Sequence, residues 1–87
     1  MIELALSVFL KAQGLMFRLD DTPCTLPVIV ENLDPESVKL MKSGMVYPNE
    51  KQFKMCWGRT QDGFLFIDED GMGGEVGSRQ IKVSAGV

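Results

Sequence analysis

The sequence contains no histidine, only two cysteines and a single tryptophan. Without histidine, a zinc site lacks one of its usual ligands and a cysteine nucleophile lacks its usual base. Two cysteines are too few for a disulfide framework, and Cys24 and Cys56 do not form a C-x-x-C pair. We therefore expect two free thiols in a cytoplasmic protein, with a Cys24–Cys56 bridge as the alternative.

Long apolar runs and clustered basic residues are also missing. No apolar run approaches the roughly 20 residues that are needed to cross a bilayer. Residues 4–10 are apolar, but Glu3 stands where a secretion signal carries Lys or Arg, so we expect this segment to belong to the fold. The nine basic residues are scattered and the net charge is −3, which gives a phosphate backbone no cationic patch. We expect a soluble protein with neither a membrane nor a nucleic acid as its partner.

The first half of the chain predicts a mixture of helix and strand. Residues 1–13 fit both an alternating strand and a helical face, and their composition, with Gly14 at the place of a C-cap, favours helix. Residues 15–19 and 25–31 are predicted strands, and Pro27 would place the second at a sheet edge.

The sequence Asp34-Pro35-Glu36 predicts the start of a short helix. Asp34 can accept a hydrogen bond from a free backbone N–H, and Pro35 suits the first helical position. We expect Gly44 to end this helix.

The second half predicts a hairpin of residues 51–60 and 64–70. Asp62-Gly63 suits a two-residue turn with positive φ at Gly63, which would place Trp57 opposite Asp68. One face then carries Phe53, Met55, Trp57, Phe64 and Phe66, and the other carries Cys56, Gly58, Leu65 and Ile67. Residues 75–83 are a predicted last strand.

These elements predict one compact α+β domain over residues 1–87, since 45% hydrophobic residues are typical of a globular chain of this length. The predicted sheet is mainly antiparallel, with four to five short strands, an N-terminal helix and a short second helix. A small barrel-like β domain is the alternative.

The most site-like string is acidic and glycine-rich, from Asp68 to Glu75. Its spacing fits neither a calcium loop nor a phosphate-binding loop. We therefore expect no metal, no cofactor and no catalytic residue, and catalysis is not the function that we favour.

The aromatic face of the hairpin is the candidate interaction site, because Trp, Met and Arg are over-represented at protein interfaces. Its predicted residues are Phe53, Met55, Trp57, Arg59, Phe64 and Phe66. We favour a non-catalytic module that contacts a protein partner or a second copy of itself as a homodimer. The alternatives are a small-molecule site on this face, which a cavity would favour, and a minimal metal-dependent enzyme using residues 68–75. The specific role and the partner are not encoded in any motif.

Overall fold

An antiparallel meander dominates the computed structural model, which describes residues 7–83. Seven strands pair in the order β6-β5-β4-β3-β2-β1-β7 and curve into a half-barrel. The strands are β1 (Ser7–Ala12), β2 (Leu15–Pro23), β3 (Lys42–Tyr47), β4 (Phe53–Arg59), β5 (Gly63–Asp68), β6 (Gly73–Gly77) and β7 (Lys82–Val83). β7 pairs with β1, so β1 begins and β7 ends at the same end of the half-barrel. We call this the open end.

Residues 7–12 form β1, so the predicted N-terminal helix is wrong over this range, and residues 1–6 lie outside the described chain. β1 pairs with β2 on one side and with β7 on the other. Gln13 and Gly14 both have positive φ, 54° and 76°, which makes Gly14 part of a tight hairpin turn and not a helix cap. These residues form a strand, as their alternating pattern allows, because β2 and β7 supply hydrogen-bond partners for the backbone of β1.

The concave interior is apolar. Its buried residues are Leu10, Ala12, Phe17, Leu19, Val46, Met55, Phe64, Phe66 and Val76. Phe17 is fully buried and makes edge-to-face contacts with Phe64 and Phe66, with ring centroids 5.4 and 4.9 Å apart. These pairs connect β2 to β5 across the curve of the sheet, and they stabilise that curvature.

Two short helices cover the convex side. The predicted strand over 25–31 is wrong, because Pro27–Val30 is a helix, α1, with Pro27 in its first turn. Proline suits this position because the first turn of a helix has no partner for its N–H. The helix buries Ile29 against Met41 and Cys56.

The second helix, α2 (Pro35–Lys39), begins as predicted. The Asp34 carboxylate accepts hydrogen bonds from the Ser37 N–H at 3.1 Å and the Ser37 hydroxyl at 2.7 Å. These bonds lower the pKa of Asp34 below its ordinary value. The helix ends at Lys39, and Gly44 lies inside β3, so the predicted end is wrong.

Cys24 and Cys56 form a disulfide, with their Cα atoms 5.5 Å apart, so the prediction of free thiols is wrong and the alternative is correct. Cys24 follows β2 and Cys56 lies in β4, and β3 pairs with both strands. The Cys24 N–H donates to the Met41 carbonyl at 3.2 Å just before β3, and from there the Cys24 side chain reaches Cys56, although 32 positions separate the two cysteines in the sequence. Because the two thiols are not free, they no longer support a cytoplasmic location, which stays a prediction.

The hairpin of β4 and β5 exists, but its predicted register is wrong. Arg59 lies opposite Phe64 and Trp57 opposite Phe66, two positions away from the prediction. The turn is centred on residues 61 and 62, and the Thr60 N–H donates to the Gly63 carbonyl at 3.0 Å. Gly63 is not among the described residues with positive φ. Because a shift of two positions keeps each side chain on its face, the predicted composition of both faces is confirmed.

The predicted α+β class, with four to five strands and an N-terminal helix, is therefore wrong. A half-barrel sheet with two helices of four and five residues replaces it, which is nearer to the barrel-like alternative. The predicted strand over 75–83 is divided into β6, a 3-10 turn (Ser78–Gln80) and β7. Within residues 7–83, none of the helices has the length and apolar character to span a membrane.

Candidate functional site

A cleft of about 710 Å³ opens on the concave side at the open end of the half-barrel. It lies where β1, β3 and β5 begin and where β2 and β4 end, and the segment between β6 and β7 borders it. Its apolar lining consists of Val8, Leu10, Leu19, Trp57, Phe64 and Ile81. Its charged lining consists of Asp20, Asp21, Lys42, Arg59 and Asp62. The cleft therefore combines an apolar floor with an ionic rim, as ligand sites at barrel mouths do.

The Trp57 indole is held in place by the ends of two neighbouring strands. Its Nε1–H points to the Asp20 carbonyl at 3.1 Å and to the Ser43 carbonyl at 2.9 Å. The ring also packs edge-to-face on Phe64, with centroids 6.5 Å apart. Since its only donor is already used, the half-buried indole offers the cleft an apolar surface in a fixed position.

The carboxylates of the three acidic residues that line the cleft, Asp20, Asp21 and Asp62, already have partners. Asp20 accepts from the Arg18 guanidinium at 3.1 Å and from the Ser7 hydroxyl at 2.6 Å. The hydrogen bond to Asp20 raises the pKa of Arg18 above its ordinary value. Asp21 pairs with Lys42.

Asp62 is the third of these carboxylates. It accepts from the Ser78 hydroxyl at 3.1 Å, which connects the turn between β4 and β5 to the segment after β6.

Arg59 differs from the other charged residues of the cleft. Within residues 7–83, no side chain forms an ion pair or a hydrogen bond with its guanidinium. Arg59 is exposed, ends β4, and lies two residues after Trp57, so both residues belong to the concave face. Its five N–H donors are available beside the apolar floor.

The cleft contains three of the six predicted interaction residues, namely Trp57, Arg59 and Phe64. Met55 and Phe66 are buried in the interior, and Phe53 is half-buried against the same core. Their role in an interaction stays a prediction, but these six do not form a flat exposed patch.

Sequence reasoning missed the opposite wall of the cleft, which β1 and β2 supply. Val8 and Leu19 are paired neighbours in these strands. Their alternating pattern predicts a strand, but nothing local predicts that this strand faces Trp57.

The acidic string from Asp68 to Glu75 spans the end of β5, a turn and the start of β6. One oxygen of Asp68 accepts from the N–H groups of Asp70 and Met72, both at 2.9 Å, and Glu69 accepts from the Lys54 N–H at 2.8 Å. Within the described residues, no three acidic or cysteine side chains are grouped closely enough to hold a metal ion. The carboxylates of this turn order the backbone around it.

The α1–α2 segment carries three exposed apolar side chains, those of Val30, Leu33 and Leu40. Leu40 directly follows α2 and is 78% exposed, while Val30 and Leu33 are 45% and 37% exposed. We call these three residues the helical patch.

Comparison of the chain with protein-family models, with curated proteins and with solved structures found no match. The function is therefore inferred from the chemistry of the cleft and of the helical patch.

Proposed function

We propose that the protein is a non-catalytic binding domain whose cleft holds a small amphipathic molecule. The observation that supports this most strongly is the cleft itself, in which a fixed indole and other apolar side chains lie beside an arginine with unused donors. A volume of about 710 Å³ lies within the range of small-molecule sites. A cavity lined by the aromatic hairpin favours this function over a flat contact with another protein.

The chemistry of the cleft favours binding over catalysis. Each acidic residue that the structure describes in the cleft already accepts hydrogen bonds or pairs with a cation within the protein, so none of them has a carboxylate left free to exchange a proton with a substrate. That the protein is not an enzyme stays a prediction.

A matched pair of β1 variants tests this proposal. Val8 and Phe9 are neighbours and are 49% and 43% exposed, but only Val8 lines the cleft. A fragment library would be screened by two-dimensional NMR against the wild type, Val8→Trp and Phe9→Trp. Val8→Trp fills part of the cleft, whereas Phe9→Trp introduces the same side chain at the neighbouring position, which does not line the cleft.

We expect fragments to shift the resonances of Trp57 and its neighbours in the wild type and in Phe9→Trp, and to bind much more weakly to Val8→Trp. Fragments that bind only outside the cleft, or equally well to Val8→Trp, would refute the proposal.

Self-association is a second candidate, supported by the helical patch. Leu40 is highly exposed. Monomers rarely leave a cluster of such apolar side chains uncovered. The same segment carries exposed charges of both signs, on Glu31, Glu36 and Lys39, which a contact between two copies can pair. We propose a second copy of this chain as the partner, in place of the dimer through the hairpin that the sequence suggested.

Sedimentation at micromolar concentration tests this candidate. We expect a dimer for the wild type, a monomer for Leu40→Asp, and a dimer for Met72→Asp, which alters an equally exposed apolar residue in the turn before β6. A wild type that sediments near 9.7 kDa would exclude self-association in this range.

A further inference from the structure

We infer that the cleft selects ligands with an anionic head and an apolar body, and that Arg59 binds the head. This inference deepens the proposed function and depends on it. It assigns the ligand class from the hydrogen-bonding capacity that the cleft leaves unused.

The acidic side chains do not supply the selective group. Asp20 is occupied by Arg18 and Ser7, and Asp21 by Lys42. A cationic ligand would have to compete with an arginine and a lysine that are already in place.

Asp62 is exposed and bonded to Ser78, in a turn where water competes for the remaining oxygen. A ligand cation therefore finds no unpaired carboxylate with a preorganised place beside the apolar floor.

Arg59 offers the opposite situation. Among the charged groups of the cleft in the described chain, it alone has neither an ion pair nor a side-chain hydrogen bond. A guanidinium binds carboxylate and phosphate oxygens through two parallel N–H bonds, which fixes the orientation of a planar or tetrahedral anion. Its position at the end of β4 places the anion at the open end and leaves the body of the ligand over Trp57 and Phe64.

The floor determines the other half of the ligand. The Trp57 N–H is consumed by two carbonyl groups, and Phe64, Leu10 and Leu19 have no polar side-chain atom. A polar body would lose hydrogen bonds to water without replacement, which disfavours sugars and favours aromatic or aliphatic bodies.

Four naphthalene probes with different head groups test the inference, namely 1-naphthoate, 1-naphthyl phosphate, neutral 1-naphthol and cationic 1-naphthylmethylamine. Dissociation constants would come from NMR titration of the full chain at low and high salt. We expect both anions to bind about five- to tenfold more tightly than naphthol at low salt, and the cation to bind no more tightly than naphthol. The advantage of the anions should shrink as salt screens the exposed arginine.

Arg59→Gln should reduce the affinity for the anions to that for naphthol. Arg79→Gln makes the same chemical change at an exposed arginine that does not line the cleft, and it should retain the preference. Arg59→Lys should keep part of it, because charge remains while the two-bond geometry is lost.

The possible outcomes separate the two proposals. If naphthol binds in the cleft but the anions bind no better, the ligand class is wrong and the proposed function stands. If Arg59→Gln and Arg79→Gln weaken anion binding equally, the overall electrostatic potential of the protein causes the preference for anions. The assignment of the head group to Arg59 then fails. If no probe binds in the cleft, both proposals are refuted. A preference for phosphate over carboxylate, lost in Arg59→Gln, would support the inference and identify the head as a phosphate.

Discussion

Removal of the Cys24–Cys56 bond should destabilise the protein by about 3 to 4 kcal/mol. The bond closes a loop between residues 32 positions apart, and the loop-closure entropy of the unfolded chain for that length amounts to about 3.7 kcal/mol at 25 °C. A domain of 87 residues is typically stable by about 4 to 13 kcal/mol, so the bond supplies a large share of the total. At about 4–8 °C per kcal/mol, the melting temperature should fall by about 20 °C.

The perturbation is the double variant Cys24→Ala/Cys56→Ala, compared with the wild type after reduction in denaturant and refolding with reductant. Both cysteines are buried, so alanine avoids the placement of a hydroxyl group in the apolar cluster beneath α1. Reduced wild type keeps both sulfur atoms and loses only the covalent link. The difference in melting temperature between oxidised and reduced wild type therefore measures the covalent link. The difference between reduced wild type and the double variant measures the packing of the sulfur atoms.

Melting would be followed by circular dichroism, with thiol titration and mass measurement to establish the oxidation state. We expect both reduced forms to melt well below the oxidised protein and the double variant to melt lowest. A double variant that melts within about 3 °C of the oxidised wild type would refute the loop-entropy argument. It would show that residues 25–41 already hold the two strands together in the unfolded ensemble.

Three further predictions concern the backbone, the helix cap and metals. Gly63→Ala should cost about 1–3 kcal/mol by denaturant unfolding, because a Cβ there overlaps the carbonyl oxygen of Val76. Gly58→Ala is the control: Gly58 is buried, but a Cβ there would meet only ordinary contacts from 3.7 Å, and an equal loss of stability in both variants would contradict this reason. The lowered pKa of Asp34 means that its cap stabilises the fold above the unfolded pKa, near 4, and is lost as pH falls through the folded value. Asp34→Ala should therefore be less stable than wild type at pH 7, and the gap should close on acidification, whereas a gap independent of pH would exclude this cap. Chelation should leave the melting temperature unchanged, and a fall of several degrees would reveal a metal that the fold requires.

Local chemistry predicted part of the fold. The Asp34-Pro35 start of α2 depends only on neighbouring residues, and the structure confirms it. The two faces of the β4–β5 hairpin follow from strand alternation, which survives the register error because the shift is even. The exact turn depends on β6, whose backbone lies against Gly63 and excludes a side chain there. Sequence pattern alone does not contain that constraint.

The remaining elements depend on partners that are distant in the chain. Residues 7–12 suit helix and strand almost equally, and their pairing with both β2 and β7 decides in favour of strand. The same pairing builds the second wall of the cleft, so the hairpin half of the site was predictable from its aromatic residues and the β1–β2 half was not. The disulfide has the same origin, because it joins the end of β2 to β4, and only the assembled sheet brings these two strands to either side of β3.

The shared location of the first and last strands has a practical consequence for anyone who handles this protein. β1 begins at the open end and β7 runs toward it, so a tag, a fusion partner or a surface attachment joined directly before Ser7 or directly after Val83 would be tethered next to the cleft. Immobilised in that way, the protein would present its ligand site to the support, and a weak ligand would be missed for steric reasons. The turn between β3 and β4 lies at the opposite end of the sheet, and Lys51 in it is exposed. Attachment through Lys51 would orient every molecule with the cleft toward the solution.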